Sequence, residues 1–189
     1  MIKRCPWPGD DPLYIKYHDA EWGVPVRDDE KLFEFLVLEG MQAGLSWITI
    51  LKKRENFRKA FHHFDPKIIA RYNDKNVKRL MSDKGIIRNE QKIRAAIANA
   101  RVFLDVQDEF GSFSDYMWGF VDGRPVINRR KRLSDLPAKT KLSDKISKDL
   151  KDRGFKFVGS TIIYAHMQAT GMVNDHLINC FRYKIVSRL

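Results

Sequence analysis

Arg153-Gly154-Phe155-Lys156-Phe157-Val158-Gly159-Ser160 separates two stretches of helical periodicity, Ser143 to Arg153 and Ser160 to Thr170. Glycine just past the last periodic residue stops the first helix, and serine opens the second. Working outward from this hairpin, the same period recurs. Asp28 and Asp29 can cap a helix running through Leu32, Phe35, Leu36 and Glu39 to about Ala43, where Gly44 breaks the pattern. Ser46 can cap the next helix, Trp47 to about Phe61. Asp65-Pro66 and Asn73-Asp74 start short helices near residues 66 to 72 and 75 to 82. Asn89 to about Val106 carries Ile93, Ala96, Ile97, Ala100, Phe103 and Leu104 along one side, and a shorter helix follows Ser112. Alternation never lasts long enough to predict a strand. Asp122 to Leu142, with Gly123, Pro125, Pro137 and the run Arg129-Arg130-Lys131-Arg132, reads as an irregular basic crossover. The expected fold class is all-α.

At 189 residues, one domain or two small lobes sharing a core is expected. An apolar fraction of 43% excludes a disordered chain. No run approaches the roughly 20 apolar residues of a membrane span, so no membrane partner is expected. The N-terminus lacks the apolar core of a secretion signal and two cysteines do not make a disulfide scaffold, which together predict a cytosolic protein. Charge is unevenly placed. Residues 1 to 120 carry 20 Lys and Arg against 18 Asp and Glu, whereas residues 121 to 189 carry 15 against 6. Such an asymmetry is the footprint of a polyanion partner or a lysine-rich solvated surface.

The hairpin lies in that basic third. Amides around Phe157-Val158-Gly159-Ser160 can point from the second helix's N-terminus at a phosphate oxygen, with Gly159 allowing close approach. Lys148, Lys151, Arg153 and Lys156 surround the turn. An ordinary glycine-capped turn with solvated lysines is the alternative.

Cys5 and His18 lie near one end of the chain, and His176 and Cys180, four apart, near the other. On a helix the latter pair would share a face. Two cysteines and two histidines complete a tetrahedral zinc set with no open position, which describes a structural site. Buried thiols and hydrogen-bonded histidines are the alternative. His62, His63 and His166 have no such partners, and the first two suit a helix end.

Glu39 extends the apolar stripe of Leu32, Phe35 and Leu36, where an unpartnered carboxylate is costly to bury. Tyr14, Tyr17, Trp22, Trp47 and Gln42 can share a pocket with it, a receptor for a flat, nitrogen-rich base. The alternative is a surface carboxylate in a stripe with Glu34 and Glu30.

Asp11 to Pro25, Leu38 to Trp47 followed by Leu51-Lys52-Lys53-Arg54, Arg153 to Gly159 and Val173 to His176 together resemble the DNA-3-methyladenine glycosylase I family of bacteria. The resemblance runs almost end to end and is weakest from Val121 to Leu142. It implies a helix-hairpin-helix glycosylase fold in a single domain over 1 to 189, with a zinc-bearing lobe from about 1 to 25 and 172 to 189. It implies structural zinc on Cys5, His18, His176 and Cys180, and catalytic work at Glu39. The base would rest against Tyr17 and Trp47, with Trp7, Trp22 and Gln42 close by, while Gly154, Lys156, Gly159 and Ser160 face DNA. The implied activity is monofunctional hydrolysis of the N-glycosidic bond of 3-methyladenine in alkylated double-stranded DNA, leaving an abasic site. A monomer in the bacterial cytosol is expected. Most members of the wider superfamily use an aspartate after the second hairpin helix, which this family is described as lacking. Asp175, sixteen residues past Gly159, is therefore left out of the catalytic set and read as a helix cap or a support for the metal ligands. The competing readings are a non-enzymatic DNA-binding protein and a glycosylase for an oxidised or mismatched base.

Overall fold

The structure is a computed structural model that describes residues 2–189. It is mostly helical: α1 (Pro12–Ala20), α2 (Asp29–Gln42), α3 (Trp47–Ala60), α4 (Pro66–Ile69), α5 (Asp74–Ser82), α6 (Glu90–Phe110), α7 (Phe113–Gly119), α8 (Lys141–Asp152), α9 (Ser160–Ala169) and α10 (Phe181–Val186). Helix starts follow the expected caps. Asp28 accepts from Lys31 N, Asp65 from Lys67 N and Ile68 N, Asn73 from Lys75 N and Asn89 from Lys92 N. Ser46 is the exception, since its hydroxyl bonds to Thr49 Oγ1 at 2.7 Å rather than to a helix amide.

Helix α2 is the axis of the molecule and packs on α3, α6, α7 and α9. Leu32 to Met41 are all buried, so α2 is enclosed all round rather than amphipathic. Its start is tied to the α6–α7 corner by Asp29, which accepts from Gln107 Nε2 and from the Phe113 and Ser114 amides. A helix so enclosed has no solvated face for Glu34 or Glu39, and the surface stripe with exposed Glu30 does not exist.

Three elements differ from expectation. Helix α1 has only Tyr17 and His18 buried, so its period is too weak to see, although Asp11-Pro12 is an ordinary start signal. The fold is not wholly α: β1 (Val126–Ile127) pairs in parallel with β2 (Val173–Asn174), Val126 opposite Val173. Two-residue strands leave no alternation to read, and parallel partners lie far apart in sequence. Residues 175 to 180 form turns rather than a helix, and α10 begins only after Cys180. His62 and His63 do follow a helix end, but in a left-handed turn with φ of 48° and 55°, where His62 Nδ1 meets Tyr72 Oη at 2.5 Å.

Helices α8 and α9 form the hairpin. Gly154, at φ 104°, turns the chain out of α8, with its N–H on Lys151 O at 2.9 Å and the Phe155 N–H on Leu150 O at 3.0 Å. At the far end of α9, Gly23 N–H bonds to Gln168 O and Val26 N–H to Thr170 O, both at 3.0 Å. This clamps the segment after α1 onto α9.

Candidate active site

Helices α1, α2, α3 and α9 and the basic crossover line a partly open cavity of about 240 Å³. Its walls are largely aromatic. Trp47, at the first position of α3, meets Tyr17 of α1 at 5.6 Å between ring centroids and is backed by Phe35, nearly parallel at 6.3 Å. Trp7 stands edge-on to Tyr14 at 4.8 Å and to Trp22 at 5.1 Å. Glu39 and Gln42 line the same cavity from the last turns of α2. All seven sequence candidates for the base site, Tyr14 included, therefore line one cavity.

Glu39 is 2% exposed, its Oε2 has no hydrogen-bond partner among the described residues, and burial alone pushes its pKa up to about 8. Trp47 Nε1 is also buried without a partner. Two residues of the cavity wall thus each bury a polar atom without a partner, which is costly unless a ligand or a shift of the side chain completes it. The Tyr17 hydroxyl is raised well above its usual range, first by burial and then by the Glu39 charge. Leu133, Leu136, Ala165 and Gln168, which no sequence motif marks, complete the lining. Leu133 opens and Leu136 follows a short 3-10 turn, Leu133–Asp135, in a stretch whose charge masks them. Gln168 lies one turn after Tyr164 on α9, a spacing the sequence shows without saying which way it faces.

Cys5, His18, His176 and Cys180 converge, all buried, with their ligand atoms within 4.8 Å of one another. Cys180 Sγ lies 3.5 Å from His18 Nε2 and 3.7 Å from His176 Nδ1, and Cys5 Sγ lies 3.7 Å from His176 Nδ1. Tetrahedral zinc with bonds of about 2.0 Å to nitrogen and about 2.3 Å to sulfur puts neighbouring N and S atoms roughly 3.6 Å apart. The outer nitrogens are committed. His176 Nε2 donates to the Trp22 carbonyl at 3.0 Å, and His18 Nδ1 donates to Asp19 at 2.7 Å, whose carboxylate also holds Arg4. Each imidazole therefore turns a lone pair inward, the arrangement a metal requires. The thiols differ: the Cys180 contact and burial hold Cys5 far above its usual range, while the Cys5 contact holds Cys180 far below. The donor set fits a structural zinc ion. Trp22 and Trp7 touch both this cluster and the cavity.

Asp175 neither caps a helix nor bonds to any of these four Cys and His side chains. Its buried carboxylate accepts from Asn128 Nδ2 (2.8 Å), Arg130 Nε (3.3 Å), Tyr164 Oη (2.5 Å) and Gln168 Nε2 (2.8 Å), tying the crossover to α9 and fixing the Gln168 amide at the cavity wall.

At the hairpin, Lys156 is exposed, Ser160 is the first residue of α9, and no side chain caps that helix. Gly159 has φ −61°, so no backbone strain requires glycine there, but the space where a Cβ would stand is open. Arg153 is not free to meet a phosphate. It is engaged by Glu109 and Asp149 and lies over the rings of Phe110 and Tyr116. Lys148 pairs with Asp152, which leaves Lys151 and Lys156 without ion pairs among the described residues.

Residues 7–183 match the sequence model of the methyladenine glycosylase family. The chain is 53% identical over 182 residues to DNA-3-methyladenine glycosylase 1 of Escherichia coli strain K12, covering 96% of this chain and 97% of that protein. Its fold superposes on a crystal structure of 3-methyladenine DNA glycosylase I with a TM-score of 0.92 at 55% identity, covering 95% and 98% of the two chains. A Staphylococcus aureus 3-methyladenine DNA glycosylase I, solved to explain 3-methyladenine recognition, matches with a TM-score of 0.92 at 36% identity, covering 94% and 95%.

Proposed function

The chain belongs to the methyladenine glycosylase family, and on that premise we propose that it hydrolyses the N-glycosidic bond of 3-methyladenine in alkylated DNA at the cavity around Glu39. It is a hydrolase acting on N-glycosyl bonds, and it releases the free base to leave an abasic site. The observation that carries the assignment is the enclosed Glu39 carboxylate, unpartnered at Oε2, between aromatic walls.

Methylation at N3 makes the base cationic and already a good leaving group, so a general acid is dispensable. The protein's work is to take the base from the stack, enclose it, and favour the charge distribution of bond breaking. Glu39 accepts a hydrogen bond from the exocyclic amine and, once ionised, favours the cationic ring. Trp47 and Tyr17 stack on it, contributing cation–π attraction of roughly 1 kcal/mol or more in a dry site. Trp7, Trp22 and Gln42 close the remaining walls. Neutral adenine carries the same amine but lacks the charge, so it gains no cation–π attraction and leaves poorly; selectivity arises from charge as well as shape. No lysine acts as nucleophile, and the enzyme is monofunctional.

Zinc on Cys5, His18, His176 and Cys180 supplies a cross-link between residues 1 to 25 and 172 to 189 within a single domain. Gly154, Lys156, Gly159 and Ser160 meet the phosphates of duplex DNA. The enzyme works as a monomer in the cytosol.

The test is chromatographic separation of the free bases released from methylated duplex DNA. Release of 3-methyladenine with little 7-methylguanine is expected. No release by folded, zinc-loaded protein that still binds DNA refutes the assignment.

A further inference from the structure

The turn between α8 and α9 is gripped from two sides. Asn99 of α6, 4% exposed, closes both halves of its carboxamide on one peptide residue: Oδ1 accepts the Lys156 N–H at 2.7 Å, and Nδ2 donates to the Lys156 carbonyl at 2.9 Å. Ser147 of α8 donates its hydroxyl to the Val158 carbonyl at 2.6 Å. Between these carbonyls Phe157 sits in the left-handed region, at φ 54°, a conformation its side chain disfavours and that surrounding contacts must hold.

Every peptide here is trans, so each N–H points opposite to the carbonyl it shares a plane with. Drawing the Lys156 carbonyl inward to Asn99 therefore turns the Phe157 N–H outward. Drawing the Val158 carbonyl inward to Ser147 does the same for the Gly159 N–H. Open space beside Gly159 leaves that amide approachable, and Lys156 is exposed next to it. On its inner side the turn seats against α2: a Cβ on Gly40 would lie 3.5 Å from Phe157 Cβ, one residue from Glu39.

We infer that Asn99 is a positioning residue, acting with Ser147 to aim the Phe157 and Gly159 amides at a DNA phosphate oxygen and to set the register of the duplex against the Glu39 cavity. The inference rests on the reading of this turn as the DNA anchor.

Full-length Asn99→Ala, Asn99→Leu and Ser147→Ala proteins test it, titrated with a duplex carrying a stable abasic-site analogue and, separately, with free 3-methyladenine followed by tryptophan fluorescence. A weakening of duplex affinity of about tenfold, the value of roughly one hydrogen bond to a charged group, is expected, with free-base affinity within about twofold. Unchanged duplex affinity in folded variants overturns the inference, as does equal loss for duplex and free base. Ser147→Ala decides the question if the Asn99 variants do not fold. The double variant Lys151→Ala, Lys156→Ala separates the two levels. Removing both unpaired cations beside the turn, each taken to neutralise one phosphate, should lower the slope of log Kd against log salt by about 2. An unchanged slope refutes the anchor itself, whereas a lowered slope with unaltered Asn99 variants refutes only the role of Asn99.

Discussion

Glu34 and Glu39 lie on the same helix and both are buried, yet their surroundings differ in kind. Burial raises Glu34, but the charges of Arg54, Lys31 and Arg58 outweigh it and hold the carboxyl below its ordinary range. No cation among the described residues faces Glu39, so burial prevails and its pKa rises to about 8. Between the ordinary carboxylate range and pH 8 the folded protein then binds more protons at Glu39 than the unfolded chain does. Its stability contribution is therefore present at low pH and lost as pH rises through 8. Glu39→Gln removes that term, and its melting temperature relative to wild type should be higher at pH 9 than at pH 5. In the proposed mechanism the same ionisation governs activity. Wild-type kcat/KM for 3-methyladenine excision should climb towards a plateau above pH 8, because only the ionised carboxylate attracts the cationic base. Glu39→Gln should flatten that limb and reduce the plateau roughly ten- to a hundredfold, as expected for losing one charged hydrogen bond. A parallel pH profile in the variant would remove Glu39 from the chemistry.

Among the elements, those with a strong period and a cap were legible from the sequence. Helices α2, α3, α5, α6, α7, α8 and α9 lie within a few residues of where spacing predicts them. Those held by tertiary contacts were not. Helix α1 is short and half exposed, and β1 and β2 exist only because the crossover returns beside α9. The connection after α9 shows how narrow such a fit is. Gly171 has φ 71°, and a Cβ there would collide with the backbone of Val24 and Pro25. A backbone obstacle cannot rotate away as a side chain can. Gly171→Ala should cost more than about 2 kcal/mol, read as a lower urea midpoint, and should loosen the Val26–Thr170 hydrogen bond in hydrogen exchange. A stable variant would mean that segment 23 to 26 moves freely against α9.

The whole molecule is closed by its ends. Cys5 and His18 come from one terminus and His176 and Cys180 from the other, and Trp7 and Trp22 carry that junction into the cavity wall. Metal binding to a site formed only in the folded chain stabilises that chain. Treatment with a strong chelator, or Cys180→Ser, should lower the melting temperature with stoichiometric loss of zinc, and should dull the tryptophan response to free 3-methyladenine. A zinc-free protein melting at the wild-type temperature would show that packing alone holds the termini.

Residue types and spacings were enough to nominate the ligand set, Glu39 with its aromatic companions, and the glycine-bounded hairpin. These are local patterns, and a chain carries its local patterns in plain view. Tertiary structure decided which patterns meet. It turned Glu39 into an enclosed carboxylate by wrapping other elements around α2, engaged Arg153 with Glu109 and Asp149, and brought Leu133, Leu136 and Gln168 to the cavity. It also showed that Asp175 braces the crossover and that Asn99 grips the turn. Each of these depends on partners tens of residues away, and burial and electrostatic environment are properties of that assembled neighbourhood rather than of any residue in the chain.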